Sequence, residues 1–317
     1  MEDSIIISNI FKVNFYMLSF KPIQTADFPL LKPYFQTSPG RLCDTTPGST
    51  FIWRDMYQVE YAIYNGSLYF KATAPDIGVT FPLPLGADRQ EHYRVIAQYC
   101  CAHQIPLSFY PVAKQELELL QSQFPNSAAI SLRDNADYLY RAEDLKYFRG
   151  KKLSGQRNHV NKFLKTYSNW SFRPITAELI SPIQEFLDRY AARYTKAAPS
   201  FHEDIAKTRE ILEHFSMYGL LGGALLVDGQ VVGFSLGEIL GDTLYTHIEK
   251  ADREYDGCYQ MLVAQFAQYY AVQGIDFINR EDDTGDPGLR TSKLSYHPIA
   301  LLEKFSVTVE EPCSHCK

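Results

Sequence analysis

The sequence predicts a mixed α/β protein made of two similar halves, each with a sheet covered by helices. Three features of the first half recur in the second: the start of a short strand, a tight hairpin turn, and a helix that leads into a strand. The matched segments are 19–23 with 171–175, Asn65-Gly66 with Asp228-Gly229, and 98–110 with 268–278. They recur in the same order with a growing offset, as expected after duplication and loop insertion. The alternative is that similar β-α-β patterns occur in the two halves by chance.

The composition fits a large globular protein without a general affinity for anionic partners. The chain has 317 residues, of which 45% are hydrophobic, and this suffices for roughly two packed domains. A formal charge of -6 gives no overall attraction to nucleic acid or anionic lipid. Six cysteines are too few for a disulfide framework, and no apolar run reaches the ~20 residues that span a bilayer. We therefore expect a cytoplasmic protein without a transmembrane segment.

The second half gives the clearest order of elements. Its predicted strands are Leu221–Val227, 230–238 and 243–250, which form a meander with turns at Asp228-Gly229 and Gly241-Asp242. A helix over 260–270, a strand over 275–279 and a closing strand over 301–309 follow. We divide the chain into a first domain over 1–147, a basic linker helix over 148–168, and a second domain over 169–317 that carries the candidate site.

The linker concentrates positive charge within an acidic chain. Residues 141–165 contain eight Lys and Arg against two acids, a net charge of +6. Apolar residues from Leu153 to Tyr167 recur at helical spacing, which leaves the basic side chains on the solvent face. The polar run from Gln156 to His159 suits a phosphate or ribose better than a core. The residues expected to contact phosphate are Lys151, Lys152, Arg157, Asn158, His159 and Lys162; a solvated surface helix is the alternative.

The predicted strand 243–250 has a polar face. Because side chains alternate along a strand, Tyr245, His247 and Glu249 should share one face. Glu238, near the end of the preceding strand, adds an acid to an apolar face. His247 and Glu249 suit general-base catalysis, because burial or a neighbour can move either pKa toward neutrality. The alternative is an exposed sheet face with charged side chains.

A charged loop follows the predicted strand that ends at Asn279. Ligands of open α/β sheets bind beyond the carboxyl ends of strands, and this loop begins at such an end. Four acids alternate here with Arg and Lys, and they can bind an amine or a divalent ion, or simply pair with the bases. The candidate site residues of this region are Asn279, Arg280, Asp282, Asp283, Arg290, Lys293 and Tyr296.

Two further motifs carry weaker signals. Residues 253–258 open a helix after a strand, where backbone N–H groups can bind the pyrophosphate of coenzyme A. Arg253 and Gly257 fit that role, but Asp256 replaces a glycine and repels phosphate. The terminal segment 313–316 has two cysteines and one histidine, and zinc needs four ligands. We therefore expect no metal site.

Several short motifs together resemble those of a known family. They are YRAEDL at 140–145, GKK at 150–152, RNHVNKF at 157–163, HIEKA at 247–251, NREDD at 279–283, GLR at 288–290 and KLSYHP at 293–298. The chain resembles the soluble proteins that share the C-terminal domain of phosphatidylglycerol lysyltransferase. This resemblance extends over nearly the whole sequence. It implies two tandem GNAT-like (N-acyltransferase) domains and the transfer of an aminoacyl group from aminoacyl-tRNA.

The sequence leaves three functions open. In the first, the linker binds tRNA, Glu249 or His247 deprotonates an amine or hydroxyl acceptor, and Lys293 with Arg290 stabilises the oxyanion of the ester. In the second, acyl-coenzyme A is the donor and binds at Arg253 and Gly257. In the third, the fold is a non-catalytic binding module. The sequence identifies neither the acceptor, whether small molecule, peptide or lipid, nor the oligomeric state.

Overall fold

The computed structural model describes residues 18–38, 40–74, 77–86, 89–193 and 199–310. These residues form the mixed α/β architecture that the sequence predicts. The cysteine-containing segment 313–316 lies outside the described residues. No helix in these ranges is both long enough and apolar enough to cross a bilayer.

The strands of the described chain form three groups. In chain order they are β1 (Lys21–Pro22), β2 (Glu60–Tyr64), β3 (Ser67–Ala74), β4 (Gly78–Thr80), β5 (Leu107–Ala113), β6 (Ser127–Ser131), β7 (Asp137–Arg141), β8 (Trp170–Pro174), β9 (Leu221–Val227), β10 (Gln230–Leu240), β11 (Thr243–Ala251), β12 (Phe277–Asn279), β13 (Ala300–Leu302) and β14 (Lys304–Val309). One sheet has the order β1-β2-β3-β4, and a second has the order β5-β14-β6. The largest has the order β13-β7-β12-β11-β10-β9-β8.

Helices connect and cover these strands. In chain order they are α1 (Phe28–Leu31), α2 (Pro47–Ile52), α3 (Arg89–His103), α4 (Lys114–Gln123), α5 (Ala142–Tyr147), α6 (Ser154–Thr166), α7 (Ala177–Ala192), α8 (Pro199–Glu213), α9 (Phe215–Tyr218), α10 (Cys258–Tyr270) and α11 (Pro287–Ser295). On one face of the large sheet, Phe234 and Ile248 share a core with Phe186 of α7 and Phe28 of the first half. On the other face, Leu244 and Ile278 pack with α5 and α10.

The two halves repeat one sheet arrangement. Strands β1 to β5 correspond in order to strands β8 to β12. A parallel bridge between Phe81 and Phe109 joins the two smaller sheets, as the parallel pairing of β11 with β12 does in the large sheet. Both matched hairpin turns, Asn65-Gly66 and Asp228-Gly229, have positive φ angles at their two central residues. The topology therefore confirms the predicted duplication.

Each half also donates one strand to the sheet of the other. β7 of the first half lies between β12 and β13, and β14 of the second half lies between β5 and β6. The predicted boundaries at 147 and 169 therefore do not separate the sheets. The predicted closing strand over 301–309 is two strands, β13 and β14, which belong to different sheets. Local apolar patterning indicates a strand but not the sheet that it joins.

A buried ion pair lies where the exchanged strands meet. Asp137 begins β7 and Lys304 begins β14, and Lys304 Nζ lies 2.7 Å from Asp137 Oδ1 with both side chains fully buried. Asp44 Oδ2 is 2.6 Å from the same ammonium, and the Asn279 amide donates to Asp137 at 2.9 Å. Burial lowers the pKa of Lys304, but Asp137 and Asp44 outweigh it and hold the pKa well above its usual value. The ammonium therefore stays charged inside the protein.

We predict that Lys304→Met lowers the free energy of unfolding by about 3–5 kcal/mol, because it leaves the Asp137 carboxylate buried without its cation. Urea titration followed by circular dichroism measures the change. Lys114→Met is the matched control, since the Lys114 side chain is 75% exposed in its contact with Glu303, and it should change stability by less than about 0.5 kcal/mol. Equal effects of the two substitutions would contradict a structural role for the buried pair.

Candidate active site

A β-bulge in β11 separates two side chains that the sequence places together. The register of β11 against β10 skips one residue at His247, so His247 is an extra residue in the strand. Ile248 packs in the core that contains α7, whereas Glu249 and Thr246 line a cavity on the α10 face. The prediction that Tyr245, His247 and Glu249 share one face is therefore wrong, because a bulge resets the alternation of side chains.

The four charged residues after β12, residues 280–283, each meet a partner of opposite charge; we call them the charged loop. The pairs are Arg280 with Glu249 at 2.7 Å, Glu281 with His247 at 2.8 Å, Asp282 with Lys304 at 3.4 Å, and Asp283 with Arg290 at 2.6 Å. The amide of Asn279 fixes the start of the loop, because its Oδ1 accepts from the Glu281 N–H at 2.7 Å. The predicted loop therefore lies among several ion pairs, and each of its four charged residues has a different partner.

The Arg280–Glu249 pair lies in a small cavity between the ends of β11 and β12. Arg280 Nε and Nη2 bind the two Glu249 oxygens at 3.2 and 2.7 Å. The guanidinium carbon lies 4.5 Å from the ring centroid of Tyr296 and 5.7 Å from that of Tyr140. The cavity has room for about one water molecule, and Thr246 and apolar side chains of α5 and α10 complete its walls. Because both oxygens of Glu249 bind Arg280, the structure does not support the predicted role of Glu249 as a general base.

His247 lies between two carboxylates and is a cation at neutral pH. Its Nε2 is 2.9 Å from Glu238 Oε1, and its Nδ1 is 2.8 Å from Glu281 Oε1. Burial lowers the pKa of His247, but hydrogen bonds to Glu238 and Glu281 outweigh it and raise the pKa to about 10. A histidine that keeps its proton at neutral pH cannot deprotonate an acceptor. The predicted role of His247 as a base is therefore not supported.

One of these carboxylates, Glu238, ties β10 to the first half. Glu238 Oε1 also accepts from the backbone N–H of Gly48 in α2, at 2.7 Å. A side chain at position 48 would lie 2.6 Å from that oxygen and 2.7 Å from His247 Nε2, so only glycine allows this approach. The His247 cluster therefore forms part of the contact between the two halves.

Lys293 supports the backbone of the charged loop. Its Nζ donates to the carbonyl oxygens of Arg280, at 2.6 Å, and of Asp282. Burial lowers the pKa of this lysine, and the nearby Glu281 and Asp282 carboxylates oppose that shift. Two of its three N–H donors bind the loop, which leaves at most one for the predicted contact with an oxyanion.

Asp283 and Arg290 fix the far end of the loop. Arg290 donates to the two oxygens of Asp283 at 2.6 and 3.0 Å and also binds Asp134 at 2.7 Å. The Tyr138 hydroxyl donates to Asp283 at 2.5 Å. Burial raises the pKa of Asp283, but Arg290 and Tyr138 outweigh it and hold the pKa well below its usual range. This closed network does not support the predicted roles of Asp283 in substrate binding and of Arg290 at an oxyanion.

Asp282 is the most weakly paired acid of the charged loop. Its closest charged partner is Lys304 at 3.4 Å, and its side chain is 22% exposed. Lys293 lies in the electrostatic field of both Asp282 and Glu249, so these three candidate site residues are neighbours. However, they do not line one cavity, because the small cavity between the ends of β11 and β12 is lined by Glu249 but by neither Asp282 nor Lys293.

Three charged residues of this region are not predicted from the sequence pattern. Asp44, Asp137 and Lys304 contribute to the site only through contacts between the two halves. A lysine inside an apolar strand pattern is the one local signal, and it does not reveal a partner. Cys43, Asp44 and Asp137 offer ligand atoms close enough together for a metal ion, but the Lys304 ammonium lies among them, 3.4 Å from Cys43 Sγ.

The linker forms the predicted amphipathic helix, α6, but several of its basic groups have protein partners. Leu153 and Phe163 are buried on one side. Of the residues expected to contact phosphate, Asn158 and His159 are exposed. Lys152 pairs with Asp144 at 3.2 Å, and Lys162 pairs with Asp256 at 2.7 Å. Arg157 donates to the carbonyl oxygens of Phe148 and Gly150. Arg157 thus stabilises the turn before α6. Lys151 and Lys165 have no ion-pair partner within the described segments.

The start of α10 packs against α6. Gly257 precedes the helix with φ of 78°, and a side chain there would meet the His159 carbonyl oxygen at 2.2 Å. Phe163 of α6 packs with Cys258 and Met261 in the first turn of α10. The His159 carbonyl of α6 therefore occupies the space beside Gly257, one of the two residues of the expected pyrophosphate site.

The chain is similar in sequence and in fold to several known proteins. Residues 37–308 match the family described as phosphatidylglycerol lysyltransferase, C-terminal. A conserved protein of unknown function from Bacteroides thetaiotaomicron VPI-5482 is 30% identical, with a TM-score of 0.83 over 93% of this chain and 100% of that chain. L-PGS from Bacillus licheniformis is 14% identical, with a TM-score of 0.63 over 90% of this chain and 94% of that chain. The duplicated sheets and these likenesses confirm the predicted tandem GNAT-like fold.

One curated relative also matches. An uncharacterized protein of Mycoplasmoides gallisepticum is 26% identical over 195 residues, which cover 61% of this chain and 62% of that protein. The match thus spans less than two thirds of the relative's length.

We predict that His247 makes stability depend on pH. Its pKa is raised from 6.5 to about 10, so its contribution is fully present below pH 6.5 and is lost as the pH rises toward 10. Urea unfolding of the wild type and of His247→Gln between about pH 6 and about pH 10 should show a stability difference that shrinks over this window. Parallel pH curves for the two proteins would contradict a buried imidazolium.

Proposed function

The chain belongs to the family of the phosphatidylglycerol lysyltransferase C-terminal domain, and on this premise we propose that it is an aminoacyltransferase. The donor is an aminoacyl-tRNA, and the acceptor is an amine or hydroxyl of a small molecule, peptide or lipid. The observation that carries this proposal is the family match over residues 37–308, a span that includes α6, β11 and the charged loop. The free thiols of Cys43 and Cys258 are consistent with a cytoplasmic location, which we include in the proposal.

The proposed reaction is the aminolysis or transesterification of an ester. The acceptor attacks the carbonyl carbon of the aminoacyl group, and the bond from that carbon to the ribose oxygen breaks. The proton that the acceptor loses ends on the ribose oxygen. The protein must therefore hold the ester, accept a proton, and stabilise the charge that develops on the carbonyl oxygen.

Asp282 is the group that we propose takes the proton of the acceptor. Glu281 and Asp283 form close pairs at 2.8 and 2.6 Å, whereas Asp282 is 3.4 Å from Lys304 and partly exposed. A carboxylate that is accessible and not enclosed by a strong partner can bind an incoming amine or hydroxyl. In this proposal His247 and Glu249 act by holding the charged loop rather than by moving protons.

The segment that leads into α6 supplies the proposed tRNA surface. Arg149 and Lys151 are exposed, and Lys165 continues this charge along the helix. The Arg149 guanidinium lies 4.5 Å from the ring centroid of Tyr147, which is 45% exposed, so cation and aromatic face are presented together. Such pairs suit unpaired nucleotides, which combine phosphate charge with stacking bases. The packing of α6 over the start of α10 weighs against acyl-coenzyme A as the donor.

We predict that the protein binds tRNA with a steep dependence on salt. The logarithm of the affinity should fall by about 0.7 per decade of salt for each single-strand phosphate contacted. Lys151→Ala and Lys165→Ala should each reduce that slope by about one contact, because neither ammonium has an ion-pair partner among the described residues. Fluorescence anisotropy over a salt series measures the slope. Lys21→Ala, at a position 63% exposed in the first half, is the control and should leave the slope unchanged. An affinity that does not depend on salt would remove RNA from the proposal.

We predict that Asp282→Asn lowers the rate of transfer by about 10²–10⁴-fold, the usual contribution of a general base. Binding of aminoacyl-tRNA should not change, because the substitution leaves α6 untouched. Single-turnover transfer from labelled total aminoacyl-tRNA to acceptor fractions of a lysate measures the rate. Asp276→Asn, at an exposed position before β12, is the matched control. Full activity of Asp282→Asn would exclude this residue as the base.

A further inference from the structure

The cavity in the large sheet lies where two neighbouring strands separate. β11 and β12 pair in parallel from Thr243 with Phe277 to Tyr245 with Asn279. Beyond these pairs β11 continues to Ala251, whereas β12 ends. The polar side chains that line the cavity are those of Thr246, Glu249 and Arg280, and the other walls are apolar.

Arg280, which lines this cavity, carries a buried hydrogen-bond donor that the described part of the protein does not use. Its Nε and Nη2 bind Glu249, but Nη1 has no acceptor within the part of the chain that the structure describes. The Tyr296 phenol is close to the guanidinium but makes no hydrogen bond of normal geometry with Nη1. Arg280 as a whole is only 8% exposed.

An unused donor on a buried cation destabilises the fold, and native proteins rarely keep one without a reason. Arg280 cannot turn to relieve it. Two-point binding to Glu249 fixes the guanidinium plane, and the Tyr296 ring packs on that plane at 4.5 Å. The pair therefore holds Nη1 in a fixed position, buried and without an acceptor from the described residues.

We propose that Arg280 Nη1 binds the carbonyl oxygen of the aminoacyl ester and stabilises the negative charge that develops on it. This inference rests on the proposed function. As the acceptor attacks, the carbonyl π electrons move onto this oxygen, and they return when the bond to the ribose oxygen breaks. The ribose oxygen then takes the proton that the acceptor lost. Arg280 contacts a reacting atom, and Glu249 is the positioning residue that holds the guanidinium.

The cavity suits a neutral oxygen better than an anion. Glu249 already balances the charge of Arg280, so an anion would bring an excess negative charge, whereas the remaining space, close to that of one water molecule, admits the single oxygen atom of a carbonyl group. A hydrogen bond from a fixed cation strengthens as the carbonyl oxygen becomes negative. The contact thus stabilises the transition state more than the bound ester, which is the condition for catalysis.

Pairs of donor analogues test this contact without an identified acceptor. One member is 3′-aminoacylamino-3′-deoxyadenosine, whose amide keeps the carbonyl oxygen. The other is its alkene isostere, which has the same shape but lacks that oxygen. Lysyl, alanyl and seryl versions cover a cationic, an apolar and a polar side chain. Wild-type protein should bind the carbonyl member of at least one pair about 10-fold or more tightly than the isostere, as expected for a hydrogen bond to a charged donor.

Two variants separate the contact from a merely structural role of Arg280. Arg280→Lys keeps the positive charge but removes the planar guanidinium and its fixed N–H donors. Ala267→Val adds methyl groups to the cavity wall and leaves the Arg280–Glu249 pair in place. Both should reduce the preference for the carbonyl member to less than about twofold. Ala177→Val, the same change at an exposed position in α7, should keep the full preference. Thermal unfolding shows that each variant is folded before it is compared.

The outcomes distinguish this inference from the proposed function. If wild-type protein binds aminoacyl-tRNA but shows no preference for a carbonyl-bearing analogue, or if the preference persists in folded Ala267→Val, the contact is wrong and the proposed function stands. If wild-type protein binds neither aminoacyl-tRNA nor any analogue, the proposed function fails and the inference fails with it.

Discussion

The two halves are held together by an exchange of strands, and the Asp137–Lys304 pair lies at its centre. β7 completes the large sheet and β14 completes the small one, so neither sheet is whole without a strand of the other half. The two residues that begin these strands form a fully buried ion pair. A buried charge is tolerated only beside its partner, so this pair holds the two strand starts in one arrangement.

The charged loop connects the exchanged strands to the candidate site. It follows β12, whose neighbour is the exchanged strand β7, and Asp282 contacts Lys304 at the start of the other exchanged strand. Residues on either side of Asp282 bind β11 and α11. Most of the charged groups therefore neutralise one another, and within this region Asp282 and the Nη1 of Arg280 remain incompletely paired.

Two irregularities give the large sheet its functional shape. The bulge at His247 turns that residue toward the first half and turns Glu249 toward α10. The early end of β12 opens the space into which Arg280 reaches. In addition, α6 packs on the start of α10, at the place where a helix entrance would otherwise be free for a pyrophosphate.

Elements that depend on local pattern can be identified from the order of the residues alone. Alternating and helical periodicity, turn residues and internal similarity indicate the duplicated α/β halves, the meander β9 to β11, the amphipathic helix α6 and the position of the charged loop. Local pattern does not reveal which sheet receives β7 and β14, which face His247 and Glu249 occupy, or which charges neutralise each other; the folded chain does. These outcomes depend on a single-residue bulge and on contacts such as Asp137 with Lys304, which lie far apart in the chain and leave no periodic signal. The pKa of His247 follows the same rule, because Glu238 and Glu281, which raise it, meet the imidazole only in the folded protein.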